Sequence, residues 1–177
     1  MHRDLLLNKI TNILGSTDDS YEAKLVSMCD DAKRIFITGA GRSKLVGNFL
    51  GMRLMHSGYE TYVQGEVATP SIREGDLLIV ISGSGETTQL VSFANKAKSE
   101  GAKVILICSK SKSTIGDIAD QTIQVGNDDS FALTKGMPMG TMFELSTLIF
   151  LEAAISYLIH EKDLTEEAMR YRHANME

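Results

Sequence analysis

Residues 77–87 read Leu-Leu-Ile-Val-Ile-Ser-Gly-Ser-Gly-Glu-Thr. Five aliphatic side chains in a row leave no polar face for water. Such a run suits an inner strand of a parallel sheet, covered on both sides. The turn that follows is small and rich in hydroxyls. Ser82, Ser84 and Thr87 offer oxygens, and Gly83 and Gly85 let the backbone bend and approach a ligand closely. Helical spacing resumes at once at Leu90, Val91, Ala94 and Ala97. The first N–H groups of that helix have no intrahelical partner, and with the helix dipole they make a site for phosphate. The reading that competes is local. Ser84 with Thr87 would merely cap the helix, but three hydroxyls and two glycines exceed what a cap requires.

The rest of the chain repeats that pattern. Residues 2–14 are helical in spacing, with Gly15 as the stop, and Ser20 is expected to cap a second helix to about Ala32. Residues 34–38 read as a strand, followed by the turn Gly39-Ala40-Gly41-Arg42-Ser43 and a helix to about Ser57. Strands are expected at residues 59–63, 103–108 and 121–125, and a short helix at 114–119. After a polar loop over residues 126–136, a long helix runs to about His160, and a short one covers residues 164–171. Alternating strands and helices predict βαβ units in an open, doubly wound parallel sheet. Ligands bind such sheets beyond the carboxyl ends of the strands, where both glycine turns and the 109–113 loop fall.

A chain of 177 residues with net charge −5 and no basic block does not suit nucleic acid as its main partner. The two cysteines, Cys29 and Cys108, make neither a disulfide framework nor a metal motif. The start of the chain lacks a signal-peptide pattern, and no apolar run is expected to be long enough for a bilayer, because residues 142–159 are interrupted by Glu144, Ser146, Thr147, Glu152 and Ser156. The expected location is the cytoplasm.

The first glycine turn fails as a dinucleotide fingerprint. Lys44 stands where the third glycine belongs, and Glu60 begins the next strand instead of ending it. There is no Walker A sequence. Glu144, near the start of the long helix, complements that helix's dipole on the plain reading. On the sharper one it is the base of an isomerisation that moves a proton between adjacent carbons through an enediol. Arg42 could orient substrate oxygens. His2, His56, His160 and His173 show no metal-ligand spacing.

Five stretches carry a resemblance. They are Ser82-Gly83-Ser84-Gly85-Glu86-Thr87, Gly39-Ala40-Gly41-Arg42-Ser43, Met52-Arg53-Leu54-Met55-His56, Met137-Pro138-Met139-Gly140-Thr141-Met142-Phe143-Glu144 and the tail Arg172-His173-Ala174-Asn175-Met176-Glu177. The first looks like the signature of sugar isomerase (SIS) domains, and together they resemble the 6-phospho-3-hexuloisomerase family over nearly the whole chain. The resemblance implies one SIS domain over residues 1–177, an α/β three-layer sandwich with a five-stranded parallel sheet flanked by helices. It implies interconversion of D-arabino-hex-3-ulose 6-phosphate and D-fructose 6-phosphate, the second step of formaldehyde fixation by the ribulose monophosphate route. It also implies no cofactor and no metal, a homotetramer with active sites near subunit contacts, and 3-hexulose-6-phosphate synthase as functional partner. The family's phosphate-binding hydroxyls fall on Ser43, Ser82, Ser84 and Thr87, and its proposed base on Glu144. Ring opening falls on His173, offered from a neighbouring subunit, ahead of His56. Lys44 departs from a common glycine, and Val67-Ala68 lies in a variable loop. Two other readings stay open: an SIS isomerase for arabinose 5-phosphate or sedoheptulose 7-phosphate, and a non-catalytic phosphosugar sensor.

Overall fold

The computed structural model describes residues 1–132 and 134–176. Position 133 of the 126–136 loop and Glu177 of the tail lie outside the described residues. Helices α1 (His2–Leu14) and α2 (Tyr21–Asp30) precede the first strand. Then come β1 (Ile35–Gly39), α3 (Gly41–His56), β2 (Thr61–Val63), β3 (Leu77–Ile81), α4 (Thr88–Ser99), β4 (Lys103–Cys108), α5 (Thr114–Ile118) and β5 (Gln121–Gln124). Helices α6 (Thr141–Glu161) and α7 (Glu166–Tyr171) complete the chain. The five strands pair in parallel in the order β2-β1-β3-β4-β5. The expected parallel sheet with flanking helices is therefore present.

Side-chain alternation divides the core in two, because successive strand residues point to opposite faces. Ile35, Ile37, Leu77, Ile79, Ile81, Ile105, Ile107 and Ile123 join the cluster that also holds buried residues of α1, α2, α3 and α6. Phe36, Leu78, Val80, Val104, Leu106 and Cys108 join the cluster of α4 and α5. Every residue of β3 is buried, as an inner strand requires. At the amino end of the sheet, Arg34 donates to the buried Asp76 carboxylate through Nε at 3.0 Å and Nη2 at 2.6 Å. This pair ties the entry of β1 to the entry of β3.

Several local expectations are corrected. Ser20 is the N-cap residue of α2 as expected, but its side chain makes no capping bond; its hydroxyl donates to Asp18 at 2.6 Å, and the helix ends at Asp30. At α4 the competing local reading, with Ser84 as the cap, does not hold: the N-cap is Thr87, and the Ser84 hydroxyl accepts from the Glu86 amide at 3.2 Å. By length and composition α6 is apolar enough to cross a bilayer, with mean hydropathy 1.6, contrary to the expectation that no run would be. Half of its most apolar 18-residue stretch is buried inside the fold instead, and the helix packs against α1, α2 and α3.

Candidate active site

The strand order reverses direction between β1 and β3, and at such a switch point two adjacent turns splay apart to leave a crevice. Gly39 pairs with Ile81 at the carboxyl ends of these strands, so the two glycine turns stand side by side. Each leads into a helix, α3 or α4. Neither N-cap, Ala40 or Thr87, makes a side-chain capping bond among the described residues. Two helix amino ends therefore meet at one crevice with amides to offer an anion.

The first turn of α6 closes the crevice from a third side. Phe143 lies against Gly83, where a Cβ would stand 3.1 Å from its ring. The Glu144 carboxylate accepts a hydrogen bond from Arg42 Nε. It also lies over Gly140, where a Cβ would stand 2.9 Å from Oε1. Glu144 is 12% exposed, whereas Arg42 is 62% exposed. The carboxylate thus sits at the crevice wall, and the guanidinium reaches it from the solvent side. The structure brings Arg42, Ser43, Ser82, Ser84, Thr87 and Glu144 to one end of the sheet. Ser82 is buried and its hydroxyl accepts from the Gly85 amide at 3.2 Å. Ser84 is exposed, and Ser43 and Thr87 are half-buried.

His56 and His173 lie elsewhere on the chain. His56 ends α3, while Ser43 is near its start, which separates them by about 20 Å at 1.5 Å per residue. The two imidazoles stack on each other with centroids 5.0 Å apart and planes at 22°. They line a cavity of about 380 Å³ with Asn48, Phe49, Met52 and Arg53. Within one chain the histidines and Glu144 do not meet.

Spacing alone missed the residues that hold the serine turn in shape. Ser109 donates to the Gly83 carbonyl from its amide at 3.0 Å and its hydroxyl at 2.7 Å. The Ile115 amide donates to the Gly85 carbonyl at 3.1 Å. Glu86 turns away from the crevice and accepts from the Thr114 amide at 2.9 Å and hydroxyl at 2.6 Å. Those two donors hold the Glu86 carboxyl below the usual carboxylate range. The only sequence signal for this brace was the hydroxyl-rich 109–113 loop. The thiols are not nucleophiles here. Burial pushes Cys29 up to about 12 and Cys108 up to about 11, so both stay protonated near neutral pH.

The SIS domain family model matches residues 28–151. The chain belongs to the SIS domain family. It is 52% identical over 178 residues to the 3-hexulose-6-phosphate isomerase of Methylomonas aminofaciens, covering 99% of this chain and 98% of that one. It is 40% identical to the 3-hexulose-6-phosphate isomerase of Methanocaldococcus jannaschii, covering 90% of this chain and 88% of that one. A crystal structure of a Methanococcus jannaschii protein, for which a 3-hexulose-6-phosphate isomerase function was inferred, aligns with a TM-score of 0.89. That match is at 36% identity and covers 99% of each chain. The SIS match includes both glycine turns and the first half of α6, the three segments that build the crevice.

Proposed function

We propose that this chain is a cofactor-independent isomerase that interconverts D-arabino-hex-3-ulose 6-phosphate and D-fructose 6-phosphate. The observation that carries the reading is the meeting of Glu144 and Arg42 with two hydroxyl-bearing helix starts at the β1/β3 crevice. Full-length similarity to proteins named 3-hexulose-6-phosphate isomerase supports the substrate.

Ser43, Ser82, Ser84 and Thr87, with the amides that open α3 and α4, hold the phosphate. Glu144 takes the proton from C2 of the 3-ketose, and the C2–H electrons form the C2–C3 double bond as O3 gains charge. Arg42 moves its donor from Glu144 to the enediolate oxygen, where negative charge develops. The O2 proton passes to O3, and Glu144 returns its proton to C3, leaving the carbonyl at C2. His173 of a neighbouring copy, ahead of His56, serves ring opening of the fructose phosphate. No metal or cofactor is assigned a part, and among the described residues no group of three or more His, Cys, Asp or Glu is gathered as for a metal ion.

The assembled protein is a homotetramer of SIS domains, expected in the cytoplasm, working with 3-hexulose-6-phosphate synthase in the ribulose monophosphate route. Leu45, Phe49 and Met52 support self-association. They recur on one face of α3, and Phe49 and Met52 are each 58% exposed. Sedimentation velocity is expected to give one species of four chains, and a monomer at micromolar concentration would contradict the assembly.

The reaction itself is tested by following fructose 6-phosphate formation from the 3-ketose in D2O. Exchange of the Glu144 proton with solvent during the lifetime of the enediol places deuterium at C3 of the product, in part or in full. Turnover with arabinose 5-phosphate alone, or binding of fructose 6-phosphate without turnover, would favour the other two readings.

A further inference from the structure

The tail beyond α7 lies against the carboxyl end of α3 through Arg172. Arg172 Nη1 donates to the His56 carbonyl at 3.2 Å and to the Ala168 carbonyl of its own helix at 3.0 Å. The His56 carbonyl is among the last four of α3, which have no intrahelical N–H to accept from. A cation there also complements the negative end of a helix dipole. The guanidinium lies over Gly58, whose φ is +99°. A Cβ on that residue would stand 3.3 Å from Nη2, 3.4 Å from Cζ and 3.5 Å from Nε. The glycine thus serves twice. It allows the left-handed turn that ends α3, and it leaves a flat floor for the arginine fork.

The next residue is His173. Its amide donates to the Arg170 carbonyl at 3.1 Å, and its ring stacks on His56. Arg172 therefore pins the backbone one residue from the imidazole, and His56 takes up the ring face. A ring on an irregular segment outside the helices otherwise samples many orientations, and proton transfer needs one orientation within hydrogen-bond reach of its substrate oxygen.

We propose that Arg172 is a positioning residue. By latching the tail to the end of α3, it fixes the His173 imidazole against His56, where it faces the sugar phosphate of a neighbouring copy. The inference rests on the part given to His173 above. Arg172 acts through His173, its fork being spent on the His56 and Ala168 carbonyls, so its removal slows the step that His173 serves without weakening phosphate binding.

The test uses the full-length protein with Arg172→Ala, Arg172→Lys and His173→Gln. Kinetics with fructose 6-phosphate are read beside the imidazole proton–carbon signals of His173, assigned from His173→Gln. Arg172→Ala is expected to lower kcat about tenfold or more with KM within about twofold. It also shifts the His173 signals toward those of an unstructured histidine. Arg172→Lys, which keeps the charge but not the fork, recovers part of both. Should Arg172→Ala fail to fold, Arg172→Lys against the native protein carries the same comparison. Unmoved His173 signals in the Arg172 variants, or native kcat there while His173→Gln loses activity, would overturn the latch. Full activity in His173→Gln would overturn the role of His173 instead, and the signals would still report whether the latch exists.

Discussion

Glu144→Gln is expected to lower kcat by about a thousandfold, while KM for the phosphosugar changes by no more than a few fold. General acid–base catalysis by one positioned group contributes about 10²–10⁴ in rate. The amide keeps the size and one acceptor oxygen of the carboxylate but cannot carry the proton from C2 to C3. Arg42 still finds an oxygen to donate to, so the α3 and α6 starts stay joined, and the phosphate grip, which lies on other side chains, is untouched. A loss confined to kcat is the mark of an interaction made in the transition state. Full activity in this variant would remove Glu144 as the base.

Gly85→Ala is expected to destabilise the fold by about 2–5 kcal/mol and to raise KM well beyond tenfold. Two penalties add. Gly85 has φ +66°, where an alanine costs about 1–2 kcal/mol. A Cβ would also collide with the Ser113 hydroxyl and with its Cβ at 2.5 Å, and overpacking of this kind costs about 1–3 kcal/mol. Ser113 cannot simply move, because its hydroxyl accepts from the Gly116 amide as the N-cap of α5. The turn must give way, and it carries Ser82 and Ser84 with it. Urea unfolding measures the first effect and steady-state kinetics the second. A variant as stable as the native protein would show that the turn is not held as tightly as this packing requires.

The serine turn was legible because its chemistry is contiguous. An aliphatic run, two glycines and three hydroxyls lie within 77–87, and the structure buries the run and bends the chain where expected. The sheet was legible because its strands are separated by helical spacing, although their ends moved. The β2 strand starts at Thr61 and not at residue 59, because the Tyr59 amide turns back to the Leu54 carbonyl at 3.0 Å and closes the end of α3. Ser20 stands at the N-cap of α2 as expected, but its hydroxyl is used outside the helix. The Ser20 hydroxyl donates to the Asp18 carboxylate and the Ser84 hydroxyl accepts from the backbone amide of Glu86, local turns that helix spacing does not report. The pairing of Arg42 with Glu144 joins residues 102 apart in sequence, and that of His56 with His173 joins the end of α3 to the tail. Such pairings follow from tertiary packing. No local pattern encodes them, so the sequence could name the residues and leave their grouping open.

The most direct measurement is a structure of the protein with bound fructose 6-phosphate. The account predicts the phosphate against the hydroxyls of Ser43, Ser82, Ser84 and Thr87, with a Glu144 oxygen about 3–3.5 Å from C2 or C3. A phosphate bound away from the two glycine turns, or a Glu144 carboxylate out of reach of both carbons, would contradict it.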